Sequence, residues 1–165
     1  MMNVTIGDTL VYPHHGAVTV TDLRPRSVRG TDELYATMRV HTTELTIQLP
    51  LSKFEYVGVR NVIDGDEFNR VLAVLREPLV EEFSNWSRRF KANQEKMAGG
   101  DIYRISEVVR DLWRRDATGG VSAGEKRMLQ KARIILESEL ALTLACTPER
   151  AAAVVDTTLS EEVAA

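Results

Sequence analysis

The chain has little cysteine and histidine and no long apolar run. Its 165 residues include one cysteine, Cys146, which excludes an internal disulfide and a cysteine-rich metal site. We expect this thiol to be a small, reduced, buried side chain. No run of about 18 uncharged apolar residues is present, and the first residues lack the basic and apolar blocks of a signal peptide. The sequence therefore predicts a cytoplasmic protein with no membrane partner.

Histidines are also few, and no catalytic motif accompanies them. His14 and His15 are neighbours, and neighbours in an extended chain point to opposite sides, so they are poorly placed to share a metal with each other or with His41. The sequence contains no GxSxG or HExxH motif and no phosphate-binding glycine loop. We expect no catalytic residue, no metal and no cofactor. A small hydrolase stays open as a minor alternative, because a catalytic triad is defined by geometry and not by spacing.

Positive charge is sparse over the whole chain but concentrated in its middle. Residues 1–83 hold 8 Lys or Arg against 12 Asp or Glu, residues 84–133 hold 12 against 6, and residues 134–165 hold 1 against 6. A segment of +6 therefore lies between segments of −4 and −5, within a net charge of −3. This asymmetry indicates a local surface for a polyanion, although solvated helix faces would give the same counts.

The first 60 residues have the composition and the two-residue period of β-strands. The predicted strands are 9–12, 17–23, 34–40, 44–49 and a short piece at 56–59. Alternation places Leu34, Leu45 and Ile47 inward and Gln48 outward. We expect a small curled antiparallel sheet or open barrel over residues 1–60.

After residue 64 the apolar period becomes about 3.6, which predicts an all-α module over residues 64–157 and a tail at 158–165. Pro78 ends the first predicted helix, and the second runs from Ser84 to Met97. The third begins at Asp101. Thr147 followed by Pro148 indicates the cap and first turn of a fifth helix.

The stretch NWSRRFKAN, at residues 85–93, places two aromatic residues among three cations. Trp86, Phe90 and Met97 share one side of the predicted helix, as residues of a core stripe do, while Arg88 and Lys91 share another. Spacing alone therefore favours a buried Trp86. Its position in the first turn leaves a second interpretation, in which the indole projects past the packed face and contacts a nucleic acid.

The fourth predicted helix begins with a capping box and two cations. Ser122 can cap the helix, and Glu125 can reach back to complete the box. Lys126 and Arg127 then lie in the first turn, where the helix dipole disfavours positive charge. Their position needs another reason, and phosphate binding is one.

Five stretches resemble the CarD family of bacterial transcription regulators, in its actinobacterial form, over about residues 4–145. They are GDTLVYPHHGA at 7–17, EYVGVR at 55–60, NWSRRFKAN at 85–93, EVVRDLWRRD at 107–116 and SAGEKRML at 122–129. The resemblance implies an α+β fold in two domains. A Tudor-like sheet, similar to the polymerase-interacting domain of the transcription-repair coupling factor, would precede an all-α helical bundle.

The resemblance also implies two partners. The sheet would bind the RNA polymerase β subunit through Arg26, Ile47 and Gln48. The bundle would lie on promoter DNA at the upstream edge of the transcription bubble, with Trp86 wedged into the minor groove. The residues that would hold phosphates are Arg88, Arg89, Lys91, Lys126 and Arg127. We therefore expect an exposed Trp86, a buried Phe90, and a monomer that stabilises the open promoter complex without an enzymatic step.

One position departs from the family pattern. Close relatives carry an arginine where this chain has Gln48. The substitution removes a possible salt bridge and leaves a hydrogen-bonding amide, so we expect the polymerase contact to persist. The alternative function is a free-standing DNA-binding or architectural protein that needs no polymerase, and it predicts tight, strongly salt-dependent binding by the helical module alone.

Overall fold

The computed structural model describes residues 2–78 and 85–161. The strands are β1 (Thr9–Tyr12), β2 (Gly16–Val28), β3 (Thr31–Val40), β4 (Thr46–Pro50) and β5 (Arg60–Asn61). The helices are α1 (Phe54–Val57), α2 (Gly65–Arg76), α3 (Trp86–Ala98), α4 (Ile102–Ala117), α5 (Ala123–Thr143) and α6 (Pro148–Ser160). A sheet thus precedes a group of helices, and the predicted α+β class is confirmed.

The five strands form one antiparallel sheet in the order β4-β3-β2-β1-β5. Arg29 and Gly30 connect β2 to β3 with φ angles of 53° and 78°, the two positive values that a type I′ hairpin requires. β-branched and other apolar side chains fill the inner face. The fully buried ones on β2 and β3 are Val18, Val20, Ala36, Met38 and Val40.

Two details of the predicted sheet are wrong. Residues 54–57 form the single-turn helix α1, which Gly58 ends at a φ of 93°, and the last strand lies at Arg60–Asn61. Leu34 and Leu45, predicted inward, are 41% and 47% exposed. Leu34 belongs to the outer part of the β2–β3 hairpin, which extends beyond β1, and Leu45 precedes β4.

The helical core is built mainly from α4 and α5, with α2 and α6 packed against them. Leu112 of α4, Leu136 and Leu140 of α5 and Leu75 of α2 are fully buried. Cys146 is half-buried against this cluster, as a reduced thiol. α6 continues to Ser160, three residues past the predicted end of the module.

Three of the predicted helix starts are confirmed by their caps. Asp101 caps α4, Ser122 and Glu125 form the capping box of α5, and Thr147 caps α6 with Pro148 in its first turn. Ser84, the predicted start of the second helix, lies outside the described residues. The helix recorded there begins at Trp86.

The sheet and the helices are packed against each other. The Ala17 N–H donates to Ser138 Oγ over 3.2 Å, and Gly16, at a φ of 79°, leaves no room for a Cβ, which would lie 2.7 Å from the same oxygen. Arg60 donates to both carboxylate oxygens of Glu139, at 2.7 and 2.8 Å. The Ile63 N–H also donates to Glu139. The segment joining the two modules is therefore fixed to α5.

Candidate nucleic-acid interface

Trp86 is the first residue of α3, and its side chain is 53% exposed. The Asn85 side chain fixes this turn by accepting from the Ser87 N–H at 2.9 Å. The Phe90 ring meets the indole edge to face, with centroids 5.7 Å apart. Phe90 itself is only half-buried, against the helical core. The expected exposure of Trp86 is confirmed, and the core interpretation based on spacing alone is wrong, because the helix begins where the packed stripe ends.

Arg89 does not lie on this surface. Its side chain is almost fully buried and donates through Nε and Nη2 to the two carboxylate oxygens of Glu125, at 2.9 and 3.0 Å. With about 3.6 residues per turn, the position after Arg88 faces the bundle instead of solvent. We therefore correct the prediction for Arg89: it is an internal partner of α5, and we assign it no phosphate contact.

Glu125 connects the starts of two helices. It completes the capping box of α5 with Ser122 and accepts both hydrogen bonds from Arg89 of α3. Burial alone would raise the pKa of Glu125, but the hydrogen bonds from Arg89 and Ser122 and the charge of Arg89 outweigh it and lower this pKa. The carboxylate is therefore ionised near neutral pH, and the pair holds the first turn of α3 beside the first turn of α5.

The other four predicted phosphate contacts are on the surface. Arg88, Lys91, Lys126 and Arg127 are exposed, and none has a carboxylate partner within residues 2–78 and 85–161. Helices α3 and α5 are in close contact at Gly124. A Cβ added at this position would lie 3.5 Å from the Phe90 ring and 3.9 Å from Arg127 Nη2. Trp86 and these four cations are called the α3–α5 surface below.

Not all of the positive charge in the central segment is available to a partner. Arg110 of α4 is almost fully buried and pairs with Asp111 and Glu77, each at 2.8 Å. Burial on its own would lower the pKa of Arg110, but the bonds and charges of these carboxylates raise it. Arg89 and Arg110 thus form ion pairs inside the fold. The count of Lys and Arg in residues 84–133 therefore overstates the positive charge on the surface.

On the sheet, Arg26 and Gln48 lie side by side. Arg26 Nη1 donates to Gln48 Oε1 at 3.1 Å, and the guanidinium carbon lies 5.1 Å from the centre of the Tyr35 ring. Ile47 is half-buried against the sheet core, on the face opposite Gln48. The structure therefore brings two of the three predicted polymerase contacts together and places the Tyr35 ring beside them.

All three histidines belong to the sheet module. His41 Nε2 lies 2.6 Å from Thr19 Oγ1, and burial followed by the charge of Arg39 lowers the pKa of His41. Among the described residues, no three His, Cys, Asp or Glu side chains form a group that could hold a metal ion. Within the same ranges, no helix is long and apolar enough to cross a membrane.

Comparisons with known proteins match both parts of the chain. Residues 70–156 match the family model described as CarD, C-terminal domain, and residues 4–63 match the CarD-like/TRCF RID domain. A Bacillus subtilis (strain 168) protein described as "Putative transcription factor YdeB" is 31% identical over 135 residues, which are 82% of this chain and 88% of that protein.

A solved structure is also similar to the sheet region. The solution NMR structure of the 72-residue N-terminal domain of Myxococcus xanthus CarD is 28% identical and covers 37% of this chain and 81% of that domain. Its TM-score is 0.32, which is too low to carry an argument about the fold. The matched descriptions are of transcription factors and their domains, and none names an enzyme.

Proposed function

The chain belongs to the CarD family, whose domains support a role in regulating transcription, and we propose that it binds RNA polymerase through its sheet and promoter DNA through its helices. The observation that carries the DNA part is the exposed indole of Trp86, held at the first residue of α3 beside surface cations that have no carboxylate partner among the described residues. Single exposed aromatic residues are common on protein surfaces, so it is the combination that supports DNA binding: nucleic-acid-binding surfaces place aromatic rings for base stacking among cations for phosphates.

The α3–α5 surface suits the edge of a transcription bubble. Where the strands separate, a base step loses stacking that is worth about a few kcal/mol. A flat apolar ring inserted in the minor groove replaces part of that stacking. Arg88, Lys91, Lys126 and Arg127 then attract phosphates without reading sequence and fix the position of the wedge.

Tethering to polymerase makes weak DNA binding sufficient. A module attached to an enzyme already on the promoter meets the DNA at a high effective concentration. If the wedge binds the open complex better than the closed one, it shifts their ratio by the difference in affinity. About 1.4 kcal/mol of difference corresponds to a tenfold shift.

For the polymerase contact we propose Arg26, Gln48 and Tyr35, with the β subunit as the partner. The match to the CarD-like/TRCF RID domain supports RNA polymerase as the partner, and the β subunit is part of the proposal. Arg26 projects from β2 into solvent, while Gln48 and Tyr35 restrain its guanidinium. A charged group that is already ordered loses less freedom when it pairs with a partner. Ile47 would support this face from within the sheet.

The test is the lifetime of the open promoter complex with the wild-type protein and with Trp86→Ala, at equal polymerase occupancy. We expect the variant to shorten the lifetime while leaving the free energy of unfolding nearly unchanged, because the side chain is half outside the fold. Tyr56→Ala is the matched control, since Tyr56 is an aromatic residue of the sheet module that is 88% exposed. An unchanged lifetime with Trp86→Ala would refute the wedge.

A further inference from the structure

A groove continues from the α3–α5 surface along α5 toward the sheet. It consists of two adjoining cavities of about 390 and 540 Å³. The first is lined by Phe90 and Gly124, and the second reaches Ile134 and the β3–β4 turn. Both are lined by His14, Arg127 and Lys131, so they form one feature, called the α5 groove below.

The α5 groove is lined by two cations, Arg127 and Lys131, among histidines and neutral side chains. No Asp or Glu lines either cavity. Arg127 and Lys131 have no ion pair within the part of the chain that the structure describes. The pKa of His15 is lowered, first by burial and then by the charges of His14 and Lys131. Two cations on one helix face, with no carboxylate lining the groove, attract an anion.

The sheet contributes its histidines from a fixed position. They belong to the β1–β2 turn, in which His14 has a φ of 70° and Pro13 is buried. Pro13 packs so closely against Gly100 that a Cβ there would lie 3.2 Å away. After the turn, Gly16 lies against Ser138 of α5. The turn is thus fixed on both sides, and His14 lines the groove without the turn having to become ordered when a ligand binds.

The spacing along α5 suits a nucleic-acid backbone. Arg127 and Lys131 are four residues apart on one helix face, about 6 Å along the axis at 1.5 Å per residue. This distance corresponds to roughly two base-pair steps of 3.4 Å. The groove begins at Phe90, which contacts the ring of Trp86. A strand whose bases meet the indole could therefore continue along the groove.

We propose that the α5 groove binds phosphates of the same DNA backbone beyond the Trp86 wedge, so that the DNA-binding surface is built from both modules. Lys131 and Arg127 would contact the phosphates, and His14 would donate a hydrogen bond from the sheet. This inference rests on the proposed function. It adds Lys131 and His14 to the DNA contacts, and it means that the helical module alone lacks part of the site.

The test measures the affinity of the full chain for a forked duplex as a function of salt. Each phosphate contact contributes about 0.9 to the slope of log K against log salt concentration. We expect Lys131→Gln to reduce the magnitude of the slope by about 0.9, which makes the affinity loss between roughly 50 and 200 mM salt about 3.5-fold smaller. Lys53→Gln is the matched control, because Lys53 is exposed and outside the groove, and it should leave the slope unchanged.

His14→Ala tests the part played by the sheet and should weaken binding while the thermal melting curve is unchanged. If the wild type binds and responds to Trp86→Ala, but Lys131→Gln and His14→Ala behave as wild type, the groove proposal alone is overturned. If the wild type shows no salt-dependent binding, both the groove proposal and the proposed DNA function are refuted.

Inorganic phosphate at constant ionic strength should displace little DNA. Full displacement at millimolar phosphate would identify a site for a free phosphate compound and overturn the inference.

Discussion

Glu125→Gln should destabilise the protein more than any change of an exposed carboxylate. The substitution keeps the shape of the side chain and its place in the capping box, since glutamine also serves at that position. It removes the negative charge that Arg89 needs. Because Arg89 is only 6% exposed, its buried guanidinium would lose the charge of the carboxylate to which Nε and Nη2 donate at 2.9 and 3.0 Å.

The size of the effect follows from this burial. Removing one partner of a buried ion pair costs about 3–5 kcal/mol. A chain of this length has a total stability of about 5–15 kcal/mol, so the loss is a large fraction of it. With about 2–4 °C per kcal/mol, we expect the melting temperature to fall by roughly 6–20 °C.

The pH dependence gives an independent measure of the same pair. The folded-state pKa of Glu125 is lowered, so ionised Glu125 contributes stability that is fully present above the ordinary glutamate pKa. That contribution is lost as the pH falls through the lowered folded-state value. The difference in stability between the wild type and Glu125→Gln should therefore be constant near neutral pH and shrink in acid.

Urea unfolding followed by far-UV circular dichroism measures these differences. The matched control is Glu95→Gln, an exposed glutamate of α3 without an ion pair to a described residue, which should change stability by less than about 0.5 kcal/mol. The double variant Arg89→Met, Glu125→Met should recover part of the loss, because both charges of the pair are removed while the Glu125 half of the capping box is lost. A Glu125→Gln variant as stable as the control would refute the reasoning.

Two further predictions concern the junction and the sheet. Gly16→Ala should lower the free energy of unfolding, measured with urea, by at least about 1–3 kcal/mol. The φ of Gly16 is 79°, and the added Cβ would lie 2.7 Å from Ser138 Oγ. Gly30→Ala should lower the free energy of unfolding by less, because Gly30 has a φ of 78° but open space around it. Equal losses in the two variants would show that the contact with Ser138 has no effect. Arg26→Glu should abolish pulldown of the polymerase β subunit and leave the affinity for DNA intact. Retained pulldown would place the interface elsewhere on the chain.

Local features of the fold were predictable because they depend on a few neighbouring residues. The capping box of α5 needs only Ser122 and Glu125, and the start of α6 needs only Thr147 and Pro148. Side-chain alternation failed where burial depends on a distant strand. Leu34 follows the correct period but lies beyond the end of β1, so the sheet has no core behind it there.

The candidate site was only partly predictable, for the same physical reason. Arg88 and Arg89 are identical residue types in one turn, and what separates them is Glu125, 36 positions along the chain. No local pattern distinguishes a cation that faces solvent from one that pairs inside the bundle. The exposure of Trp86 came from the family resemblance, since its spacing with Phe90 and Met97 favours burial. Lys131 and His14 were missed because the groove exists only where α5 meets the β1–β2 turn.

The packing between the modules links the position of Trp86 to the position of the sheet in the proposed mechanism. The pairing of Arg60 with Glu139 and the close approach of Gly16 to Ser138 hold the sheet against α5. The pair of Arg89 with Glu125 then holds α3 against the same helix. If a flexible linker joined the helices to a polymerase-bound sheet, Trp86 would sample a large volume, and its effective concentration at the DNA would be low. With α5 fixed to both, docking of the sheet would instead determine where the indole lies. Weakening the Gly16–Ser138 contact should therefore shorten the lifetime of the open complex, even though neither residue is among the proposed contacts with DNA or polymerase.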